Sequence, residues 1–343
     1  MHNRLEIKEF LNEAKYRTVL DVRTPAEFER AHIPGAKNLP LFSNEERAEI
    51  GTIYKQISQE EAFKRGLELV SQRLPSYIQK AKEMVHGKSV AVHCWRGGKR
   101  SQSMAEFLQL ADFDVVSLVG GYKAYRTYVL DQMESIPLKI LVVGGQTGTG
   151  KTAILNSLKD LGEQIIDLEG LAHHKGSAFG WIGEEEQPTV ESFENELFST
   201  MTGLDSSKRV WVENESRKIG KVFIPDGFWE KKARGVLFNL KLPTRERVKR
   251  LIDDYAGHST EALVLSFKKL KKKLGGKALN DALESLEAND LGKAAEVALF
   301  YYDKTYEHCI ANGRFREIYN IEIQNDPEET AKKLIAIADQ KNY

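Results

Sequence analysis

The chain has 343 residues, 41% hydrophobic and 29% charged, which is typical of a globular protein with two or three domains. No apolar run approaches the ~18–20 residues that span a bilayer, and the N-terminus lacks the features of a secretory signal, which predicts a cytoplasmic protein without membrane contact. Its 50 basic and 50 acidic side chains cancel, and two cysteines, Cys94 and Cys309, exclude a disulfide scaffold and a four-cysteine zinc site.

Short apolar segments rich in β-branched residues alternate with helical patterns in residues 1–130. Strands are predicted at 18–22, 89–93 and 114–119, and a helix at 101–110. This alternation predicts an α/β domain over residues 1–130, with a mainly parallel sheet covered on both faces. Ser135-Ile136-Pro137 then predicts a linker.

The same alternation resumes after the linker, with strands predicted at 138–143, 163–167, 209–213 and 235–240. One helix is predicted over 260–274, where Leu263, Phe267 and Leu270 share a face and Gly275-Gly276 ends it. Later elements are predicted as a helix at 291–312, a strand at 316–322 and a helix that begins at Asp326-Pro327. We therefore expect a second α/β domain at 131–343, with a core at 138–243, a helical extension at 244–315 and a final strand and helix at 316–343.

Cys94 lies between a predicted strand and a predicted helix, in the segment VHCWRGGKRS. Gly97-Gly98 permit a tight loop whose backbone N–H groups point at one spot, and Arg96 and Arg100 add positive charge. Such surroundings favour the thiolate, which is the nucleophilic form of cysteine. We predict catalytic roles for Cys94, Arg96 and Arg100, and substrate contacts for Trp95, Gly97 and Gly98. Trp95 would stack on an extruded base or, alternatively, pack under the loop.

Cys309 is predicted to differ from Cys94. It lies at helical spacing from Leu299, Tyr302 and Tyr306, which favours a place in the core.

Two families share the residues around Cys94. Together with residues 21–40 (DVRTPAEFERAHIPGAKNLP), the loop resembles the rhodanese domain over about residues 4–128. That resemblance implies that Cys94 carries sulfur, that residues 94–100 cradle it, and that Asp21, Arg23 and Glu27 brace the fold. His93-Cys94-x5-Arg100-Ser101 also satisfies the signature of Cys-dependent phosphatases, in which Cys94 would attack phosphorus and Arg100 would bind phosphoryl oxygens. The loop alone leaves both interpretations open.

A second motif, G-x4-G-K-[ST], follows the strand LKILVV and opens a helix. It consists of Gly145, Gln146, Thr147, Gly148, Thr149, Gly150, Lys151 and Thr152. Its backbone N–H groups would wrap a diphosphate, Lys151 would neutralise charge, and Thr152 would reach Mg²⁺. The motif predicts a diphosphate more firmly than it predicts ATP.

An acidic partner for the metal is expected at the end of another strand, because ligands of open α/β sheets bind at that edge. Asp167 after EQII, and Glu213 or Glu215 after RVWV, are the candidates. We favour the cluster of Glu213, Glu215 and Arg217, with ordinary solvated loop charge as the alternative. Three residues of LEGLAHHKGSAFG are predicted to line the mouth of the same site: His174, Lys175 and Ser177.

The predicted helix at 260–274 carries a lysine-rich surface. Lys268, Lys269 and Lys272 are predicted to contact the phosphates of a nucleic-acid substrate, which would make binding strongly salt-dependent. A solvated helix face is the alternative.

The order of motifs resembles the bacterial tRNA 2-selenouridine synthase family nearly end to end. They are C-W-R-G-G-x-R-S, G-x-T-G-x-G-K-T, a histidine-containing G-S-x-F-G, V-W-V-E-x-E-S and Y-Y-D-x-x-Y, at Cys94–Ser101, Gly145–Thr152, His173–Gly180, Val210–Ser216 and Tyr301–Tyr306. In the third segment the family pattern is N-H-R-G-S, so Lys175 keeps the charge of that arginine without its bidentate geometry.

The resemblance implies a rhodanese-like parallel-sheet domain followed by a P-loop NTPase-like α/β domain. It implies that selenium from selenophosphate replaces the sulfur of 2-thiouridine at the wobble position of tRNA, through an S-geranyl-2-thiouridine made from geranyl diphosphate. Cys94 would handle selenium, with a selenylsulfide as one route, and the P-loop would hold the diphosphate with Mg²⁺. This scheme does not require ATP, and the sequence leaves open whether the P-loop binds geranyl diphosphate, a nucleotide or both. The partners implied are tRNA bearing 2-thiouridine and selenophosphate synthetase as the source of the donor.

Two other classes of function stay open on the sequence. One is a Cys-dependent phosphatase or P-loop kinase with an accessory rhodanese module. The other is a non-catalytic sulfur carrier or RNA-binding scaffold.

Overall fold

The computed structural model describes residues 2–343. The chain forms two compact α/β units, the first ending at Gln132 and the second spanning Met133–Tyr343. Each unit is built on a five-stranded parallel sheet. Among the described residues, no helix is long and apolar enough to cross a membrane.

The first unit holds five strands and seven helices among its described residues. The strands are β1 (Asn3–Leu5), β2 (Thr18–Asp21), β3 (Lys37–Asn38), β4 (Ser89–His93) and β5 (Asp114–Leu118). The helices are α1 (Ile7–Ala14), α2 (Pro25–Arg30), α3 (Asn44–Gln56), α4 (Gln59–Ser71), α5 (Leu74–Met84), α6 (Lys99–Leu110) and α7 (Gly121–Met133). The sheet order is β1-β5-β4-β2-β3, so the carboxyl ends of β2, β4 and β5 are neighbours.

The sequence pattern identified the three inner strands of this sheet. Val90, Ala91 and Val92 of β4 are fully buried, since a central parallel strand is covered on both faces. The edge strands β1 and β3 were not predicted, because segments of three and two residues are too short to show a period.

The second unit continues the numbering. Its strands are β6 (Lys139–Gly145), β7 (Gln164–Ile166), β8 (Arg209–Glu213), β9 (Lys218–Ile219), β10 (Val222–Phe223), β11 (Val236–Lys241) and β12 (Glu317–Glu322). Its helices are α8 (Lys151–Asp160), α9 (Leu168–Ala172), α10 (Val190–Thr202), α11 (Asp226–Ala233), α12 (Thr244–Tyr255), α13 (Thr260–Lys269), α14 (Lys271–Leu274), α15 (Gly276–Glu287), α16 (Leu291–Ala311) and α17 (Pro327–Gln340). The main sheet has the order β12-β11-β6-β8-β7, and β9 and β10 form an antiparallel pair.

Two apolar clusters stabilise this unit. One lies between the main sheet and the helices α8 and α17, and the other joins α13, α15 and α16. The helix predicted at 260–274 is in fact two helices, with a break at Leu270, although its apolar face is buried as expected. Asp326 caps α17 as predicted, since its side chain accepts a hydrogen bond from the Glu329 N–H.

The prediction that Cys309 lies in the core is wrong, because this cysteine is exposed on α16. Its spacing from Leu299 and Tyr302 does place it near the inward face of the helix. However, the apolar cluster that covers this face reaches only to Tyr302, so the last turns of α16 extend beyond it.

Candidate active sites of the two units

In the first unit, Cys94 follows β4 and is buried. Its Sγ lies 3.2 Å from Oγ of Ser101, whose hydroxyl donates to the Gly98 carbonyl over 3.1 Å. Gly98 is the N-cap residue of α6 and has no side chain to cap the helix, so the N–H groups of the first turn face the loop. A thiolate or a bound anion beside Cys94 would be stabilised by this helix N-terminus.

The cysteine loop depends on close backbone contacts that only glycine allows. Gly97 and Gly121 have φ angles of +63° and +59°. A Cβ at Gly121 would overlap the Cys94 carbonyl oxygen, and one at Gly97 would overlap the Leu118 carbonyl oxygen. The Tyr122 N–H also donates to the Cys94 carbonyl over 2.8 Å. Gly121 is therefore part of the loop's support, although it lies just beyond the predicted strand at 114–119.

Arg100 is held by Glu27. Its Nη1 donates to Glu27 Oε2 over 2.6 Å. Burial opposes ionisation of Glu27, but the hydrogen bonds and charge of Arg100, together with the Thr24 N–H and the charge of Arg23, outweigh it and lower the pKa of Glu27. A guanidinium paired in this way is not free to bind two phosphoryl oxygens, which weakens the phosphatase interpretation.

Asp21 and Arg23 lie buried beneath the same loop. Arg23 Nη2 donates to Asp21 Oδ2 over 2.6 Å, and its guanidinium stacks on the Tyr122 ring at 3.8 Å. Arg96 is exposed, and the Trp95 ring packs 5.8 Å from Tyr122 while remaining 36% exposed. This arrangement suits bracing by Asp21 and Arg23, and it leaves Trp95 in contact with both protein and solvent.

In the second unit, the P-loop joins β6 to α8. Gly148 and Gly150 have φ angles of +81° and +79°, and Thr149 Oγ1 donates to the Gln146 carbonyl over 2.9 Å. Gly150 provides no side-chain cap to α8, so the first N–H groups of this helix are available to an anion. The loop has the geometry of a phosphate site.

Glutamates from two neighbouring strand ends meet the P-loop. Thr152 Oγ1 donates to Glu169 Oε2 over 2.8 Å, and the Glu169 N–H donates to Glu213 Oε1 over 2.7 Å. Lys151 Nζ lies 3.7 Å from Glu215 Oε1. The structure thus brings Glu213 and Glu215 to the P-loop, and it adds Glu169, which was not predicted.

Burial controls the charge of this cluster. It raises the pKa of Glu169, assisted by the neighbouring Glu215, and raises the pKa of Glu213 well above its usual range. Burial opposes the charge on Lys151, but three neighbouring glutamates outweigh it and raise the pKa of this lysine. Burial therefore opposes ionisation of Glu169 and Glu213, whereas the surrounding carboxyl groups favour the charged form of Lys151.

The donor set suits a magnesium ion bound together with a phosphate ligand. Among residues 2–343, no group of three or more His, Cys, Asp or Glu is arranged to hold a metal alone. Mg²⁺ is usually held by one or two carboxylates plus substrate phosphates, so it needs no such group. Glu213 Oε2 is buried without a hydrogen-bond partner, and Thr152 and Glu169 lie beside the phosphate loop.

The segment that contains the paired histidines packs against these acids. Gly176 lies against both Glu215 and Glu169, and the His174 N–H donates to the Glu169 carbonyl over 3.1 Å. Ser177 lines a cavity together with Thr147 of the P-loop. Lys175 instead points to Glu184, with Nζ 2.9 Å from Oε1, so it is not joined to the cluster.

The predicted grouping of Arg217 with the glutamates is wrong. Arg217 is exposed and pairs with Asp226, because the chain leaves the sheet edge after Glu215. The buried cation behind the glutamates is Lys232 of α11, whose Nζ donates to the Glu215 carbonyl over 2.6 Å. Burial lowers the pKa of Lys232 to about 8, against the opposing charges of Glu215 and Glu213.

Two arginines of α12 also reach the P-loop and were not predicted. Arg247 Nη1 donates to the Thr147 carbonyl over 3.2 Å, and its guanidinium pairs with Asp303 at 2.8 and 2.9 Å. The Arg250 guanidinium lies against Gly150. Arg247 and Arg250 are three residues apart, so they lie on one face of α12, and Asp303 belongs to the Y-Y-D-x-x-Y motif. The sequence therefore held an indication that both arginines belong to the site.

The lysine-rich surface is exposed as expected. Lys268 and Lys269 lie on α13 and Lys272 on α14. Lys269 Nζ is 4.7 Å from the Trp181 ring centroid, and Lys273 Nζ is 5.8 Å from that of Tyr301. Cations beside aromatic rings could contact both phosphates and bases.

Comparisons with known proteins find relatives of both units. Residues 138–333 match the family described as tRNA 2-selenouridine synthase AAA domain, and residues 4–128 match the rhodanese-like domain family. Proteins named tRNA 2-selenouridine synthase from Nitrosomonas europaea, Bdellovibrio bacteriovorus and Shewanella denitrificans are 37%, 38% and 32% identical to this chain. The alignments cover 69%, 82% and 88% of this chain, and 63%, 72% and 91% of those relatives.

Proposed function

Because the chain belongs to the tRNA 2-selenouridine synthase family, we propose that it replaces the sulfur of tRNA 2-thiouridine with selenium in two steps, one in each unit. The relatives' names specify the product, a 2-selenouridine in tRNA. The chemistry of each step is proposed from the site in the unit concerned.

The P-loop unit would carry out the first step, which is geranyl transfer. The sulfur of 2-thiouridine attacks C1 of geranyl diphosphate, the C1–O bond breaks, and diphosphate leaves. Lys151 and the open N-terminus of α8 are placed to neutralise the charge that develops on the leaving group. Alkylation makes the sulfur a good leaving group for the second step.

A magnesium ion fits the same step. Bound with the diphosphate, it would supply Lewis-acid stabilisation of the leaving oxygen. Thr152, Glu169 and Glu213 are the residues that would hold it. In the chain itself, Lys151 stays charged and Thr152 is already oriented by its hydrogen bond to Glu169.

The cysteine unit would carry out the second step, with selenophosphate as donor. Attack of the Cys94 thiolate on phosphorus breaks the P–Se bond and releases hydroselenide, and water then hydrolyses the thiophosphate to phosphate. Hydroselenide adds to C2 of the uridine, and the C2–S bond breaks with loss of geranyl thiol. A selenylsulfide at Cys94 would instead need a two-electron oxidant, so we favour the route without one. The helix N-terminus beside Sγ supports anion binding here.

The tRNA would be held in part by the lysine-rich surface of α13 and α14, in the cytoplasm where tRNA is found. Lys268, Lys269 and Lys272 are exposed, and Lys269 lies beside the aromatic ring of Trp181, which suits contacts to a nucleic acid. Selenophosphate synthetase remains the proposed source of the donor.

The experiment that tests this function is mass spectrometry of tRNA nucleosides after incubation with geranyl diphosphate and then selenophosphate. We expect Cys94→Ser to form S-geranyl-2-thiouridine but no 2-selenouridine. Lys151→Ala should slow geranylation by about 100-fold, because a charge at the leaving group is lost. Cys309→Ser, which changes the exposed cysteine, is the matched control and should retain both steps.

Each half of the proposal can fail separately. Normal selenation by Cys94→Ser would disprove the role of the cysteine. Normal geranylation by Lys151→Ala would disprove the role of the P-loop. Turnover of an aryl phosphate by Cys94 without tRNA or selenium would favour the phosphatase interpretation.

A further inference from the structure

An apolar cavity adjoins the P-loop within the second unit. Most of its wall is hydrocarbon from α12, α13, α15 and α16. Thr147 of the P-loop forms part of the wall. A ligand with its phosphates on the P-loop could therefore extend directly into this cavity.

The cavity runs along α16 away from the P-loop. In the C-terminal half of this helix, Asp303 accepts hydrogen bonds from Arg247, which in turn donates to the Thr147 carbonyl. Tyr302 thus marks the P-loop end of the wall and Leu291 the far end, about 16 Å apart along the helix. Between them the wall is formed by small side chains of α16: Ala294, Ala295 and Ala298.

Polar atoms lie at only one end of the cavity. Ser177 and Tyr302 line it near the P-loop, and the Tyr302 hydroxyl accepts a hydrogen bond from the Ala178 N–H over 2.9 Å. The remaining wall is built mainly from leucine, isoleucine, phenylalanine and alanine. A nucleobase placed there would leave its ring nitrogens and amino groups without partners, which is costly. A flexible hydrocarbon chain has no such groups and gains from burial.

We propose that this cavity binds the isoprenoid chain of a prenyl diphosphate, and that the alanines of α16 determine the chain length accepted. The inference rests on the proposed function, in which the P-loop holds the diphosphate. Ala295 is the informative position, because it lines the cavity and is only partly buried, so a larger side chain there need not disrupt the core. Ala295→Leu would shorten the space available to the chain while leaving the P-loop unchanged.

The test is calorimetric binding to the full-length protein with Mg²⁺. The ligands are inorganic diphosphate and the dimethylallyl, geranyl and farnesyl diphosphates. For the wild type, we expect geranyl diphosphate to bind at least about 10-fold more tightly than inorganic diphosphate, because the chain is buried. Ala295→Leu should lose this gain for geranyl but keep the affinity for inorganic diphosphate, which also shows that the variant is folded. Ala311→Leu, on the exposed last turn of α16, is the matched control and should behave as the wild type.

The inference is overturned if geranyl and inorganic diphosphate bind the wild type equally, or if Ala295→Leu keeps the full preference for geranyl. The inference is also overturned if Ala295→Leu weakens the binding of inorganic diphosphate as much as the binding of geranyl diphosphate, because the substitution would then act on the P-loop. Failure of the proposed function has a different result: the chain-length preference is present in binding, but no geranyl group is transferred to tRNA.

Discussion

Gly121 supports the cysteine loop from the neighbouring strand end. Its φ of +59° and its contact with the Cys94 carbonyl leave no room for a Cβ. We expect Gly121→Ala to displace the loop, at a cost of about 1–3 kcal/mol in local strain, and to reduce selenation while geranylation continues. Nucleoside mass spectrometry of tRNA measures both steps in one sample.

A control variant, Gly87→Ala, separates the effect of backbone strain from that of the steric overlap with the Cys94 carbonyl. Gly87 also has a positive φ, +87°, but a Cβ there would meet nothing within 4 Å. Gly87→Ala should therefore lower the melting temperature slightly without changing selenation. Equal selenation by Gly121→Ala and Gly87→Ala would show that the contact with Cys94 is unimportant.

Burial of Glu213 makes the free energy of unfolding depend on pH. It is 1% exposed, and burial raises its pKa well above the ordinary 4.5. As the pH rises above 4.5, the unfolded chain releases this proton while the folded chain retains it, so stability falls until the pH exceeds the folded pKa. Glu213→Gln keeps an acceptor for the Glu169 N–H and removes the ionisation. We expect the variant to melt higher than the wild type at pH 8, by about 2–4 °C, and close to it at pH 4.

Thermal unfolding of the full chain at a series of pH values measures this effect. Glu169 acts in the same direction, so the substitution should reduce the pH dependence rather than abolish it. Glu60→Gln, at an exposed position on α4, serves as the control and should leave the pH dependence unchanged. A parallel pH profile for Glu213→Gln and the wild type would contradict the prediction.

At the scale of elements, the short helices α13 and α14 pack through their apolar face. Their lysines therefore stay exposed to solvent. Leu263, Phe267 and Leu270 are buried against α15 and α16. Changing Lys268, Lys269 and Lys272 together to Glu should weaken tRNA binding at least about 10-fold and reduce its salt slope by about 3, because three phosphate contacts are lost. Filter binding across a salt series measures both quantities.

A matched charge change tests whether the position of the lysines matters. Lys64, Lys80 and Lys82 are exposed on helices of the first unit, and their replacement by Glu changes the net charge equally. If both triple variants lose the same affinity, the effect is one of overall charge, and α13 and α14 are not a specific surface.

At the scale of the whole molecule, each unit has its own core. One apolar cluster draws only on the first unit, and two others draw only on the second. We therefore expect fragments 1–132 and 133–343 to unfold cooperatively by themselves, and fragment 133–343 to bind inorganic diphosphate. Circular dichroism melting and calorimetry measure these properties. Fragment 1–112 lacks the inner strand β5 and should not fold, whereas a non-cooperative melt of 133–343 would contradict the independence of the units.

Local motifs were predictable because their residues are consecutive. The P-loop and the cysteine loop were located from spacing alone, since each joins one strand to one helix. Glu169, Lys232 and Arg250 were missed because they come from separate elements that the sheet order and helix packing bring to the P-loop. Cys309 was misjudged for a related reason, because helical spacing identifies a face but not whether another element covers it.

The sequence by itself therefore determined the α/β class, the two loops and the family, because strand–loop–helix motifs depend on residues close along the chain. Tertiary structure alone decided which side chains share a site. It paired Arg100 with Glu27, placed Glu169 on Thr152 and sent Arg217 outward to Asp226. It also formed the apolar cavity beside the P-loop, because that space exists only where α12, α13, α15 and α16 pack together next to a loop that lies far earlier in the chain.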